Sequence, residues 1–149
     1  MSDLHERLRA DLKQAMRDRD AMRRDTIRLV EAAIKNVEIE QRSELSDADV
    51  LTVVRKQIRQ REESIEQFRA AGRDELADVE AAEMAVLQEY APALMTRDDV
   101  VAAARTAIEQ AGAAGSGDKG KVMGPLMAAL RGKADGRLVN EVVTELLGD

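Results

Sequence analysis

The sequence predicts an all-α protein in two parts, with four helices in the N-terminal part and a compact three-helix bundle in the C-terminal part. Apolar residues recur three and four positions apart along most of the 149-residue chain, which is the spacing of one face of an α-helix. No stretch alternates apolar and polar residues over the length of a strand. Charged residues make up 35% of the chain, as expected for helices with solvated outer faces.

The N-terminal part is predicted to occupy residues 1–92. Ser46, followed three residues later by Asp49, resembles a capping box and opens a long third helix. Pro92 follows the fourth helix and marks the end of this part. The predicted helices cover about 2–17, 21–40, 46–71 and 73–90.

The third helix carries a run of basic residues followed by a run of acidic ones. Acidic and basic side chains three or four positions apart on a helix usually pair with each other, so we expect these to form ion pairs on the solvated surface of the same helix. The residues are Arg55, Lys56, Arg59, Arg61, Glu62, Glu63 and Glu66.

The C-terminal part is predicted to occupy residues 96–149. Thr96 and Asp99 form a second capping-box pattern, which opens a fifth helix ending at Gly112. A short link rich in glycine and alanine follows and leads into the sixth helix.

The sixth and seventh helices contain unusual glycines and a proline. Asp118 is predicted to cap the start of the sixth helix, and Gly132 to end it in a left-handed conformation. Pro125 lies within its apolar pattern and predicts either a late start or a kink. Asp135 is predicted to cap the seventh helix.

The composition gives no basis for enzymatic chemistry. There is no cysteine, and the single histidine, His5, lies in the first turn of the first helix, where we expect it to be exposed and inert. The carboxylates alternate with arginine and lysine, as on solvated surfaces, and no phosphate-binding loop or nucleophile motif is present. We therefore expect no metal, no cofactor and no catalytic residue, and predict that the chain is not an enzyme by itself.

The N-terminus runs directly into charged amphipathic sequence and carries no apolar signal segment. No uninterrupted apolar run approaches the roughly 20 residues that a membrane span requires. These observations lead us to expect a soluble, cytoplasmic protein without a membrane partner.

The charge of the chain changes sign near its C-terminus. The formal net charge is −6, but residues 117–137 contain five basic and two acidic residues, which leaves a local charge of +3. Cations beside glycine-exposed backbone favour close approach of phosphate. The chain has only one tyrosine and one phenylalanine, so any nucleic-acid contact is expected through phosphate and shape, not through bases stacked on aromatic rings.

Two segments of this region, Gly-Lys-Val-Met-Gly at 120–124 and Gly-Lys-Ala-Asp-Gly-Arg-Leu-Val-Asn at 132–140, resemble the signature of the GatB/YqeY family. Stretches 8–16, 26–30, 61–68 and 90–92 are also similar to stand-alone YqeY-like members. The resemblance implies an all-helical, two-part fold related to the tail of the B subunit of tRNA-dependent amidotransferase. It also implies a tRNA-facing surface without catalytic residues, consisting of Lys119, Gly120, Lys121, Gly124, Gly132, Lys133, Asp135, Gly136, Arg137 and Asn140.

Three functional hypotheses follow. The first is a noncatalytic RNA-binding module with tRNA as its partner. The second is a helical adaptor for a protein partner in translation, since Met123 and Met127 suit an adaptable surface. The third is an accessory to an amidotransferase, a carbon–nitrogen ligase with glutamine as amide donor, in which another subunit supplies the chemistry.

Overall fold

The computed structural model describes residues 1–148, which form seven α-helices and no strand. The all-α prediction is therefore confirmed. The chain divides into two compact units, Met1–Pro92 and Ala93–Asp149. The first unit contains α1 (Asp3–Arg17), α2 (Ala21–Gln41), α3 (Asp47–Ala70) and α4 (Asp74–Gln88). The second contains α5 (Arg97–Ala111), a short 3-10 turn (Ser116–Asp118), α6 (Lys119–Leu130) and α7 (Gly136–Leu147).

The first unit is held together by aliphatic side chains from all four helices. The turn between α3 and α4 contains Gly72 in a left-handed conformation (φ 72°), which allows these two long helices to form a hairpin. At the start of α3, the Ser46 hydroxyl accepts from the Asp49 N–H at 3.2 Å, so one bond of the expected capping box is present. Buried members of the core are Leu8, Ile27, Val30, Ile34, Leu45, Val50, Val54, Val86 and Leu87.

His5 is buried, so the expectation of an exposed histidine is wrong. Its side chain is 4% exposed, and Nε2 lies 2.9 Å from a carboxylate oxygen of Glu31 on α2. Arg9 approaches the same oxygen at 3.5 Å. His5 precedes the buried Leu8 by three residues and therefore shares the face of α1 that packs on the core.

Polar contacts fix the end of α4 to the first two helices. The Arg23 guanidinium donates to both carboxylate oxygens of Glu89, at 2.6 and 3.2 Å. The Tyr90 hydroxyl donates to Asp11 at 2.5 Å, and Arg7 lies 4.7 Å from the centre of the Tyr90 ring. Burial, together with the hydrogen bond to Asp11, raises the pKa of Tyr90.

The Arg23–Glu89 pair predicts a dependence of stability on acid. The hydrogen bond from Arg23 holds the pKa of Glu89 below its ordinary value of 4.5. Because the folded pKa is the lower one, this contribution is complete above pH 4.5 and is lost as the pH falls through the folded pKa. In urea unfolding, Glu89→Gln should therefore lose less stability than the wild type when the pH falls from neutral to below this range. The control is Glu62→Gln, because Glu62 is an exposed carboxylate that forms no ion pair within residues 1–148. This variant should show the same acid dependence of stability as the wild type. An unchanged acid dependence in Glu89→Gln would contradict the prediction.

The second unit buries one face of each of its three helices. The predicted capping box at Thr96 and Asp99 is confirmed, because both reciprocal bonds are present. Arg97 at the start of α5 pairs with Glu141 and Glu145 on α7. The core contains Val100, Ala104, Val122, Leu126, Leu130, Val139, Val142 and Val143. Within residues 1–148, no helix has the length and apolar character required to cross a membrane.

Candidate nucleic-acid interface

Asp118 does not cap α6, contrary to the prediction. One of its carboxylate oxygens accepts from the Ala114 N–H at 3.0 Å, and the other lies 3.3 Å from the Lys121 ammonium. Both interactions hold the pKa of Asp118 below its ordinary value, and the hydrogen bond from the Ala114 N–H has the larger effect. Asp118 is the last residue of the 3-10 turn Ser116–Asp118, and α6 continues directly from this turn. Its carboxylate faces back along the chain towards Ala114.

The helix α6 runs through Pro125. It begins at Lys119, six residues earlier, so of the two predicted alternatives, a late start or a kink, the late start is wrong. Proline has no N–H group, so the carbonyl of Lys121 lacks the donor that residue i+4 normally supplies in a helix. Both Lys121 and Pro125 are exposed. The missing hydrogen bond is thus on the solvent side of α6, where water can take its place.

The two faces of α6 differ in character. Val122, Leu126 and Leu130 are buried at four-residue intervals and face the core. The opposite side, here called the outer face, consists of the exposed residues Gly120, Lys121, Gly124, Pro125 and Ala128, with Arg131 directly after the helix.

A tight turn ends α6. Arg131 (φ −57°, ψ 124°) and Gly132 (φ 76°) are its central residues, and the Lys133 N–H donates to the Leu130 carbonyl at 2.9 Å. These are the features of a type II turn, which favours glycine at its third position. The predicted left-handed glycine is confirmed. The Lys133 carbonyl accepts from the Met95 N–H at 2.8 Å, which fixes the turn to the segment before α5.

The start of α7 follows immediately. Asp135 caps the helix as predicted, since its carboxylate accepts from the Arg137 N–H at 2.9 Å. A Cβ atom on Gly136 would lie 3.2 Å from the terminal methyl of Met127, so glycine permits close packing of α7 against α6. Asn140 is exposed one turn further along α7.

The predicted RNA-facing residues form two groups at opposite ends of α6. The twelve residues of this helix correspond to a length of about 18 Å. Gly124 lies between the groups on the outer face, and Asn140 extends the second group along α7. The first group contains Lys119, Gly120 and Lys121, and the second contains Gly132, Lys133, Asp135, Gly136 and Arg137.

The second group, joined by Arg131, forms a cationic cluster. Arg131, Lys133 and Arg137 are all exposed, and none forms an ion pair with a carboxylate of residues 1–148. In the first group, Lys119 is half-buried, whereas the Lys121 side chain is 70% exposed and pairs with Asp118. Arg131 is absent from the set predicted from the sequence. Lys121, Gly124 and Ala128 lie three and four residues apart on the outer face, and the next position at this spacing is Arg131. The helical spacing would therefore have identified Arg131 from the sequence.

The helices that carry these groups have an inverted charge pattern in their first turns. The first turns of α1, α3, α4 and α5 contain two acidic residues each, which complement the positive end of the helix dipole. The first turns of α2, α6 and α7 contain no acidic residue. That of α2 carries Arg23 and Arg24, which pair with carboxylates of Asp20, Glu89 and Asp25. Those of α6 and α7 carry Lys119, Lys121 and Arg137, of which only Lys121 has an ion pair within residues 1–148, with Asp118.

A family model described as "Yqey-like protein" matches residues 5–147 of the chain. The match therefore includes both units and nearly the whole sequence.

Curated relatives are fungal proteins named "Altered inheritance of mitochondria protein 41, mitochondrial". The relative from Pyrenophora tritici-repentis is 34% identical over 148 residues, which cover 95% of this chain and 80% of that protein. The relative from Eremothecium gossypii is 42% identical over 88 residues, covering 58% of this chain and 48% of that protein. The relative from Saccharomyces cerevisiae strain YJM789 is 38% identical over 84 residues, covering 56% of this chain and 45% of that protein. The matches to the latter two thus span about half the length of each relative.

The names of these relatives concern localisation and identify no ligand. The expectation of a cytoplasmic protein is contradicted, because these relatives are named as mitochondrial proteins. The names mention neither tRNA nor an amidotransferase.

Proposed function

The chain belongs to the Yqey-like protein family, and on this premise we propose that it is a noncatalytic RNA-binding module whose ligand is tRNA. The resemblance of segments 120–124 and 132–140 to the tail of the amidotransferase B subunit supports this choice of ligand. Those segments also contribute the two groups of residues at the ends of α6.

The observation that carries the proposal is that the first turns of α6 and α7 contain cations, Lys119 and Arg137, without an ion pair within residues 1–148. A cation near a helix N-terminus opposes the dipole, an effect of about 0.3–1 kcal/mol at exposed sites. Helix stability therefore gives no reason for Lys119 and Arg137 to occupy these positions. An anionic partner does, since it would be attracted to these unpaired cations.

Contact through phosphate fits the residues of the second unit. Residues 93–149 contain no aromatic residue, so bases have no ring on which to stack. Arg131, Lys133 and Arg137 instead offer exposed cations that form no ion pair within residues 1–148. The acidity of the whole chain opposes nonspecific binding of nucleic acid, which favours a local site over a generally cationic surface.

A double charge reversal tests the proposal. Lys133→Glu combined with Arg137→Glu should weaken binding of a tRNA transcript at least tenfold, because two phosphate contacts become repulsive. The slope of log affinity against log salt concentration should decrease by about 2, or one for each contact removed. Filter retention across a series of salt concentrations measures both quantities.

The matched control is Lys56→Glu combined with Arg59→Glu on α3. These two cations are exposed and form no ion pair within residues 1–148, so the control changes the net charge equally. It should leave affinity close to that of the wild type. No tRNA binding by the wild type, or equal losses in both double variants, would sink the proposal.

The other two hypotheses stay predictions. The adaptor hypothesis has less support, because Met123 is partly buried against the core of the second unit and only Met127 is exposed. The hypothesis of an amidotransferase accessory has no support beyond the resemblance of the two segments.

A further inference from the structure

The outer face of α6 has a cation at each end and small residues between them. Lys121 and Arg131 are ten residues apart, or about 15 Å along a helix axis. The face therefore suits a ligand that presents phosphates at two separated places.

Gly120 on this face has no role in packing within residues 1–148. A Cβ atom added to it would meet nothing within 4 Å, so alanine would fit there. Glycine in a helix is less stable than alanine, and the fold gains nothing from it at this position. Gly124 also faces open space, but as the residue before Pro125 it avoids a contact between a Cβ atom and the proline ring. The open space leaves the backbone accessible to a molecule approaching from outside.

Pro125 adds a hydrogen-bond acceptor to the same face. The Lys121 carbonyl lacks its usual i+4 donor because proline has no N–H. Lys121 and Pro125 are both exposed, which makes this carbonyl available to a hydroxyl donor. The ribose of RNA has such a donor in its 2′-hydroxyl, and the deoxyribose of DNA does not.

We propose that the outer face of α6 lies across the minor groove of double-stranded RNA. Lys121 and Arg131 contact phosphates of the two strands, and the Lys121 carbonyl accepts from a ribose 2′-hydroxyl. The A-form minor groove suits this because it is wide and shallow and displays the 2′-hydroxyl groups. The ion pair between Lys121 and Asp118 does not prevent the contact, since such exposed pairs contribute little.

This inference rests on the proposed function and specifies the part of a tRNA that is bound, namely its double-helical stems. It is tested with the full chain and four probes: a tRNA transcript, a short RNA duplex, the DNA duplex of the same sequence and one RNA strand of the duplex alone. We expect the RNA duplex to bind at least tenfold more tightly than the DNA duplex or the single strand.

Two substitutions test the contacts without threatening the fold, because alanine favours helix at both positions. Gly120→Ala should raise the urea midpoint and weaken binding of the RNA duplex several-fold. Gly117→Ala also adds a methyl group into open space but precedes α6, so it should leave binding unchanged. Pro125→Ala restores the helical N–H. It should reduce the preference for RNA over DNA several-fold while the salt dependence stays the same.

The outcomes separate this inference from the function on which it rests. Binding of tRNA with equal affinity for the duplex and the single strand would overturn the duplex assignment and leave RNA binding intact. An unchanged preference for RNA in Pro125→Ala would overturn the contact with the 2′-hydroxyl. Absence of tRNA binding by the wild type would overturn the proposed function and this inference together.

Discussion

Leu126→Ala should lower the free energy of unfolding of the second unit by about 2–5 kcal/mol, the range for removal of a buried leucine side chain. Leu126 is 4% exposed and lies on the core face of α6, between the buried Val122 and Leu130. The core of this unit is small and depends on three short helices. The cavity that this truncation leaves beside α6 therefore removes a large part of the apolar contact that holds the unit together.

Met127→Ala is the matched control for this substitution. Met127 is the next residue of the same helix, but its side chain is 38% exposed. The truncation also gives alanine, so the change in helix propensity is similar and the expected loss is below about 1 kcal/mol. Urea unfolding followed by circular dichroism measures both variants. Equal losses in the two would show that the face of α6 assigned to the core is wrong.

Features encoded by local sequence were predictable. The seven helices follow from apolar spacing, and the Thr96 capping box, the left-handed Gly132 and the Asp135 cap each depend on residues within a few positions of one another. Such features arise from the backbone geometry of one turn. Distant parts of the chain have little influence on them, which is why the sequence is sufficient.

The choice of polar partners was not predictable in the same way. His5 and Arg61 were expected on solvated surfaces, but both are buried and pair with carboxylates of other helices, Glu31 and Glu83. Asp118 was expected to cap α6 and instead bonds back to the Ala114 N–H. For His5 and Arg61, many carboxylates of the chain are possible partners, and only the packing of the helices selects one. For Asp118, the 3-10 turn that it ends selects the partner.

The candidate site was also predictable only in part. The change in charge is evident in the sequence and led to Lys121, Lys133 and Arg137. Their separation into groups at opposite ends of α6 depends on the helix continuing through Pro125, which the sequence left open because the proline predicted either a late start or a kink. The half-buried position of Lys119 and the exposed position of Arg131 depend in turn on which face of α6 packs against α5 and α7.

Arg61 shows how much a partner on another helix can contribute. Its side chain is 8% exposed, with Nε 3.3 Å from a carboxylate oxygen of Glu83 on α4. Its guanidinium also donates to the Gln57 carbonyl at 3.3 Å. A charge that is largely removed from water is strongly destabilising when it has no partner. The pair therefore couples α3 to α4 more tightly than the surface pairs expected from the sequence could.

A double-mutant cycle should measure this coupling. Arg61→Met keeps the apolar stem and removes the guanidinium, while Glu83→Gln leaves the buried cation without its counter-charge, and each should destabilise the chain by about 1–3 kcal/mol. Glu83 is 26% exposed, so water can hydrate its carboxylate when Arg61 is absent. The loss of stability in Arg61→Met should therefore be smaller than the loss typical of breaking a fully buried pair. The double variant should be more stable than the sum of the two losses predicts, by about 0.5–3 kcal/mol, because the second substitution removes a group that has already lost its partner. Urea unfolding of the four proteins gives the coupling energy, and strictly additive losses would mean that the contact between α3 and α4 does not depend on this pair.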